Sequence, residues 1–93
     1  MAVAWSPDAR ADLARIFDFN LAFSVERAEF VDTRLVARAE ALEAAPLVGR
    51  PTRIENVREA SLTDIQYVPR YLVENEQVTV LRVRSTRERA DAL

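Results

Sequence analysis

The 93 residues contain no cysteine, no histidine and no lysine, and only one glycine. The missing cysteines exclude disulfides, thiolate metal sites and cysteine nucleophiles together. Without histidine or lysine there is no serine–histidine pair, no imidazole ligand, no Schiff-base amine and no Walker-type lysine. A general base would have to be Asp, Glu or Tyr, and the sequence alone places no pair of carboxylates in one cleft. No cofactor or metal is expected. One Gly and four Pro leave little room for flexible linkers, so residues 1–93 read as a single domain. No apolar run approaches the roughly 20 residues that a membrane helix needs. The opening Met1-Ala2-Val3-Ala4-Trp5 has no basic segment leading into a long apolar one, so it does not read as a signal peptide. A cytoplasmic location is the expectation.

What is present is arginine. All 13 basic residues are Arg, against 15 acids, for a net charge of −2. That balance argues against broad non-specific or sequence-specific nucleic-acid binding. The total hides an asymmetry. Residues 1–49 carry five Arg and eight acids, residues 50–93 carry eight Arg and seven acids, and residues 82–89 alone hold four Arg and one Glu. The basic character lies towards the C-terminal end.

Hydrophobic period orders the chain. Val3-Ala4-Trp5 reads as a short strand, with Trp5 in the core. Ser6-Pro7-Asp8 then supplies a cap, a proline at the first helical position and an acid at the positive end of the dipole. Ala9, Leu13, Ile16, Phe17 and Asn20-Leu21 follow at helical spacing, with Arg10, Asp12, Arg15 and Asp18 assigned to the other side, predicting a helix over 7–22. Ser24 caps a second helix over 25–45, carried by Ala28, Val31, Leu35, Ala39 and Leu42, and Pro46 and Gly49 end it. Helices joined this tightly form an antiparallel hairpin. The four Phe, at 17, 19, 23 and 30, are assigned to core or hairpin packing, with one or two available to a partner. Arg10, Arg15, Arg34 and Arg38 read as solvated helix faces paired with acids one turn away.

After Gly49 the period changes to that of strands, over 57–62, 65–74 and 77–85, with a hairpin break at Glu74-Asn75-Glu76. Pro69 predicts a bulge or an outward N–H nearby. The tail 86–93 is charged and reads as one helical turn. The expected class is α+β, β-α-α-β-β-β, with the helical hairpin on one face of a mostly antiparallel sheet. Strict alternation sets Leu81 and Val83 on one side of the last strand and Val80, Arg82 and Arg84 on the other, which is the candidate open face. Arg58, Arg70, Tyr71, Arg87 and Arg89 complete the candidate partner-binding set.

Four segments in order then resemble the ParE/RelE toxin superfamily. They are Val3 to Ala9 with Asp12-Leu13 and Ile16; Leu42 to Pro46 with Gly49-Arg50-Pro51; Val57-Arg58-Glu59; and Tyr67-Val68-Pro69-Arg70-Tyr71 with Val78 to Val83. The resemblance implies a type II toxin wrapped and silenced by a cognate antitoxin in a hetero-oligomer. Of its branches, RelE-like members cut messenger RNA on the ribosome with clustered basic residues. ParE-like members lack that set and poison DNA gyrase. This chain has no Lys or His, and no Tyr beyond Tyr71. It also shows Ser85-Thr86-Arg87 where many ParE relatives have His-Gly-Arg. The expectation is a ParE-like gyrase inhibitor that is not an enzyme. The alternatives are an RelE-like interferase using Arg58, Arg82 and Arg87, or an inactive antitoxin-binding module.

Overall fold

A computed structural model describes residues 3–87. The chain runs β1 (Ala4–Trp5), α1 (Pro7–Leu21), α2 (Val25–Ala41), β2 (Arg50–Pro51), β3 (Val57–Glu59), β4 (Tyr67–Glu74) and β5 (Gln77–Ser85). The five strands form one sheet in the order β1-β5-β4-β3-β2. Only β1 pairs in parallel, with β5; the other pairings are antiparallel. The two helices pack on this sheet, as the sequence predicts. The two-residue β2 is an addition. Helix α2 ends at Ala41 rather than 45, and the strand expected over 57–62 stops at Glu59, with only an isolated Leu62–Tyr67 bridge beyond it.

Local chemistry explains the boundaries. Ser6 Oγ accepts from Ala9 N at 3.0 Å and caps α1, while its hydroxyl donates to Leu81 O at 2.9 Å and ties the helix start to β5. Ser24 Oγ accepts from Arg27 N at 3.0 Å and caps α2. Each cap satisfies an amide that the helix leaves without a partner. Asn75 and Glu76, both at positive φ, turn β4 into β5 between paired Glu74 and Gln77, the backbone that a two-residue hairpin needs.

The core lies between helices and sheet. Ala9 and Ile16 of α1 and Val31, Leu35 and Ala39 of α2 meet Tyr67, Val80 and Val83, with Trp5 and Leu13 packed at the margin. A fully buried side chain such as Leu35 stabilises the fold by roughly 1.5–3 kcal/mol. At the far end Leu42, Ala60, Tyr71 and Val78 form a second cluster. The single glycine sits there because Tyr71 occupies the space. A Cβ on Gly49 would lie 2.8 Å from Glu59 O and closer still to the Tyr71 hydroxyl.

The last strand departs from strict alternation. Arg82 pairs with Arg70 while Val80 pairs with Tyr71, so Leu81 is an extra residue. This bulge lies beside Pro69, where an irregularity is expected. It shifts the phase so that Val80 and Val83 both face the helices. Val80 is fully buried, which corrects its assignment to an open face.

Candidate protein-docking site

Cross-strand register places Arg70 and Val68 of β4 and Arg84 of β5 on the side of the sheet away from the helices, next to Glu59 of β3. That side is not bare. Val57, Val68, Glu59 and Arg84 are all more than nine-tenths buried. Glu59 gathers three guanidinium groups. Arg70 Nη2 lies 3.1 Å from its Oε2, while Arg50 Nη2 and Arg84 Nη2 lie 3.3 and 3.5 Å from its Oε1. Burial alone would raise the Glu59 carboxyl, but Arg70, Arg84 and Arg50 outweigh it and hold the group below its ordinary value. One carboxylate among three guanidinium groups leaves a local excess of positive charge. Arg84 Nε is buried with no acceptor among the described residues.

Arg82 is engaged differently. Its Nε and Nη2 donate to the two carboxylate oxygens of Asp12 at 2.9 and 3.2 Å, a bidentate fork. Asp12 Oδ2 also accepts from Val83 N at 2.8 Å, and Oδ1 from Arg15 at 3.2 Å. Burial pushes Asp12 up, and Arg82, Val83 and Arg15 together bring it below its ordinary value. The expectation that Arg82 and Arg84 lie free for a partner's carboxylate is therefore corrected: Asp12 and Glu59 of this chain fill that role.

The other candidates divide. Arg58 donates to Leu47 O and Gly49 O at 3.2 and 2.7 Å and holds the loop after α2. Tyr71 is wholly buried. It donates to Pro46 O at 2.7 Å and accepts from Gly49 N at 3.0 Å, so it serves the fold and is no partner anchor. Arg87 is exposed beyond β5. Arg89, like most of the predicted tail turn, lies outside the described residues.

The sequence reading missed Asp12 and Glu59. Helical spacing sets Asp12 on the polar side of α1, yet the buried positions of that helix are Ala9, Asp12, Ile16 and Asn20. Its place on the three-and-four-residue stripe was the available signal. Glu59 shares the phase of Val57, with which it is buried. The phenylalanines also depart from expectation. Phe19, Phe23 and Phe30 are each more than half exposed, and Phe19 and Phe23 form an edge-to-face pair with centroids 5.6 Å apart. Arg34 pairs with Asp64 through a bidentate contact at 2.8 and 3.0 Å rather than with an acid one turn away.

The site thus lies on a helical hairpin packed against a mixed five-stranded sheet, and among the described residues no cluster of acids is placed to hold a metal. Residues 3–90 match the model of the ParE toxin of the type II toxin–antitoxin system parDE, and the chain belongs to that family. It is similar to a chain of the chromosomal ParDE toxin–antitoxin system from P. aeruginosa, at 25% identity and TM-score 0.80 over 91% of this chain and 95% of that one. It shares its fold with the isolated E. coli RelE toxin, at 13% identity and TM-score 0.64 over 97% and 88% of the two chains. No curated protein matches. Among the described residues no helix is long and apolar enough to cross a membrane.

Proposed function

We propose that this toxin acts in the cytoplasm by binding DNA gyrase, performs no chemistry of its own, and is neutralised by a cognate antitoxin. One observation carries the reading: Arg70 and Arg84, which could clamp a phosphate, are both held by Glu59. Phosphodiester cleavage needs a proton acceptor and donor beside such a clamp. Both tyrosines of the chain are committed inward, Tyr67 Oη accepting from Asn20 Nδ2 at 3.1 Å and Tyr71 as above. Asp12 and Glu59 are held as carboxylates by arginine. Arginine itself does not deprotonate. Arg87, exposed beyond β5, and the part-exposed Arg70 remain the proposed contact residues, with Arg82 positioned by Asp12.

The test is supercoiling by purified gyrase. The chain should inhibit it, and a stoichiometric amount of cognate antitoxin should restore it. Unimpaired gyrase together with cleavage of translated message, seen by primer extension, would establish the RelE-like alternative. Normal growth on expression without antitoxin would establish an inactive module.

A further inference from the structure

Five of the large exposed hydrophobic residues, Phe19, Leu21, Phe23, Val25 and Phe30, lie within twelve positions around the turn between α1 and α2. Phe23 is the most exposed, at 71%. Beside this patch are two recesses of about 290 and 490 Å³. They share Phe19 and Arg87 and so form one groove between the end of the helical hairpin and the ends of β4 and β5. Its floor is apolar and aromatic, from Ile16, Phe19, Phe23 and Tyr67. Its charged rim is Arg15, Arg27 and Arg87, and among the described residues no acidic side chain lines it. In a chain of net charge −2, this one-sided composition selects its occupant.

The groove is also preformed. Asn20 is buried beneath it, donating to Ile16 O at 2.8 Å and to Tyr67 Oη at 3.1 Å, and its Oδ1 accepts from Arg27 Nε at 3.3 Å. Arg27 is thereby held at the rim by one N–H of the five its guanidinium carries. A fixed aromatic pocket ringed by arginines has the composition of an interface hot spot.

We infer that this groove binds an acidic segment of a protein partner, whose aromatic or branched aliphatic side chain enters between Phe19 and Phe23 while flanking carboxylates meet Arg27 and Arg87. A nucleic-acid strand could stack on the same rings, and the test separates the two. The inference rests on the reading above only in taking the segment to belong to the neutralising partner.

The probes are a synthetic twelve-residue peptide of Glu and Leu with one central Phe, its counterpart with every Glu replaced by Lys, and single-stranded oligodeoxythymidine. Binding is followed by fluorescence anisotropy and by amide shift mapping on the full chain. The acidic peptide should bind saturably and shift residues 19–27, 66 and 85–87, with the lysine peptide weaker by roughly ten-fold or more. Phe23→Ser should weaken the acidic peptide by roughly five-fold or more with unchanged melting temperature, and Arg27→Gln should weaken it as much with a small drop in melting temperature, because Asn20 Oδ1 loses its donor. Three outcomes overturn the inference: no saturable binding of the acidic peptide, equal binding of the lysine peptide, or shifts confined to the Arg50–Arg70–Arg84 side. Tighter binding of the oligonucleotide than of the acidic peptide overturns it as well. The gyrase assay is separate. A chain that inhibits gyrase but ignores the acidic peptide refutes the groove alone, and one that binds the peptide but spares gyrase refutes only the target.

Discussion

Arginine serves opposite ends in two regions of this molecule. Along β4 and β5, Arg70, Arg82 and Arg84 close on Glu59 and Asp12 of the same chain. There the arginines are paired within the chain, and Arg82 with Asp12 fixes how β5 meets helix α1. At the turn of the helical hairpin, Arg27 and Arg87 flank exposed rings in a groove that no acid of the described residues lines. The strand arginines fit the expected location of a docking face, yet the turn has the composition of one. Position in a basic stretch does not reveal which arginines are available; the buried acids nearby do.

Removing those acids should break the contrast most visibly. Glu59→Ala leaves three guanidinium groups together, one of them nine-tenths buried, and should cost about 3–5 kcal/mol in urea unfolding. The double change Glu59→Met with Arg84→Met should recover part of that loss, because an apolar pair needs no counter-charge. A loss below about 0.5 kcal/mol for Glu59→Ala would mean that Glu59 is incidental. Asp12→Ala strands the Val83 N–H and releases Arg82, whose side chain is 39% exposed and can find water. A smaller loss, about 2–4 kcal/mol, is expected by the same measurement. It should fall mainly on the junction of α1 and β5, read as faster amide exchange at Val83.

Much of the architecture was legible because it depends on local chemistry. Ser6 and Ser24 announce their helices as caps, Leu35 and its stripe set the phase of α2, and Asn75-Glu76 marks the hairpin. One part of the face of β5 was not legible: Val83 and Arg84 take the sides that alternation gives them, but the extra residue at Leu81 puts Val80 on the side of Val83. Pro69 gave the neighbourhood of that irregularity but not its position. The pairing of Arg82 was hidden for a related reason: it is made with a residue 70 positions away, and sequence spacing carries no information on that partnership. The exposed phenylalanines follow the same logic. Aromatic residues near a helix turn have the composition of core, and only packing shows that no element of the described chain covers them.

Acid sharpens the comparison with less disruption. Both Asp12 and Glu59 sit below their ordinary values of 3.8 and 4.5, so each binds protons more readily in the unfolded chain. Their stabilisation is complete above those values and drains away as pH falls through the lower values held in the fold. Urea midpoints should therefore be flat at neutral pH and decline below about pH 4.5. Asp12→Asn should remove part of that decline, whereas Arg27→Gln, at the turn, should leave its shape intact.

The smallest change in stability belongs to the turn itself. Phe23 is the most exposed of the large hydrophobics, so little of its ring leaves water on folding. Phe23→Ser loses the edge-to-face contact with Phe19 and little else, and should shift unfolding by no more than about 0.5 kcal/mol. If the groove is a docking surface, the same change must strike affinity for an acidic segment far harder than it strikes the fold. The ratio of those two losses is the sharpest measure of the contrast. At Glu59 the fold should suffer first, and at Phe23 the partner should. A melting temperature that drops markedly in Phe23→Ser would return the ring to the core and erase the difference between the two regions.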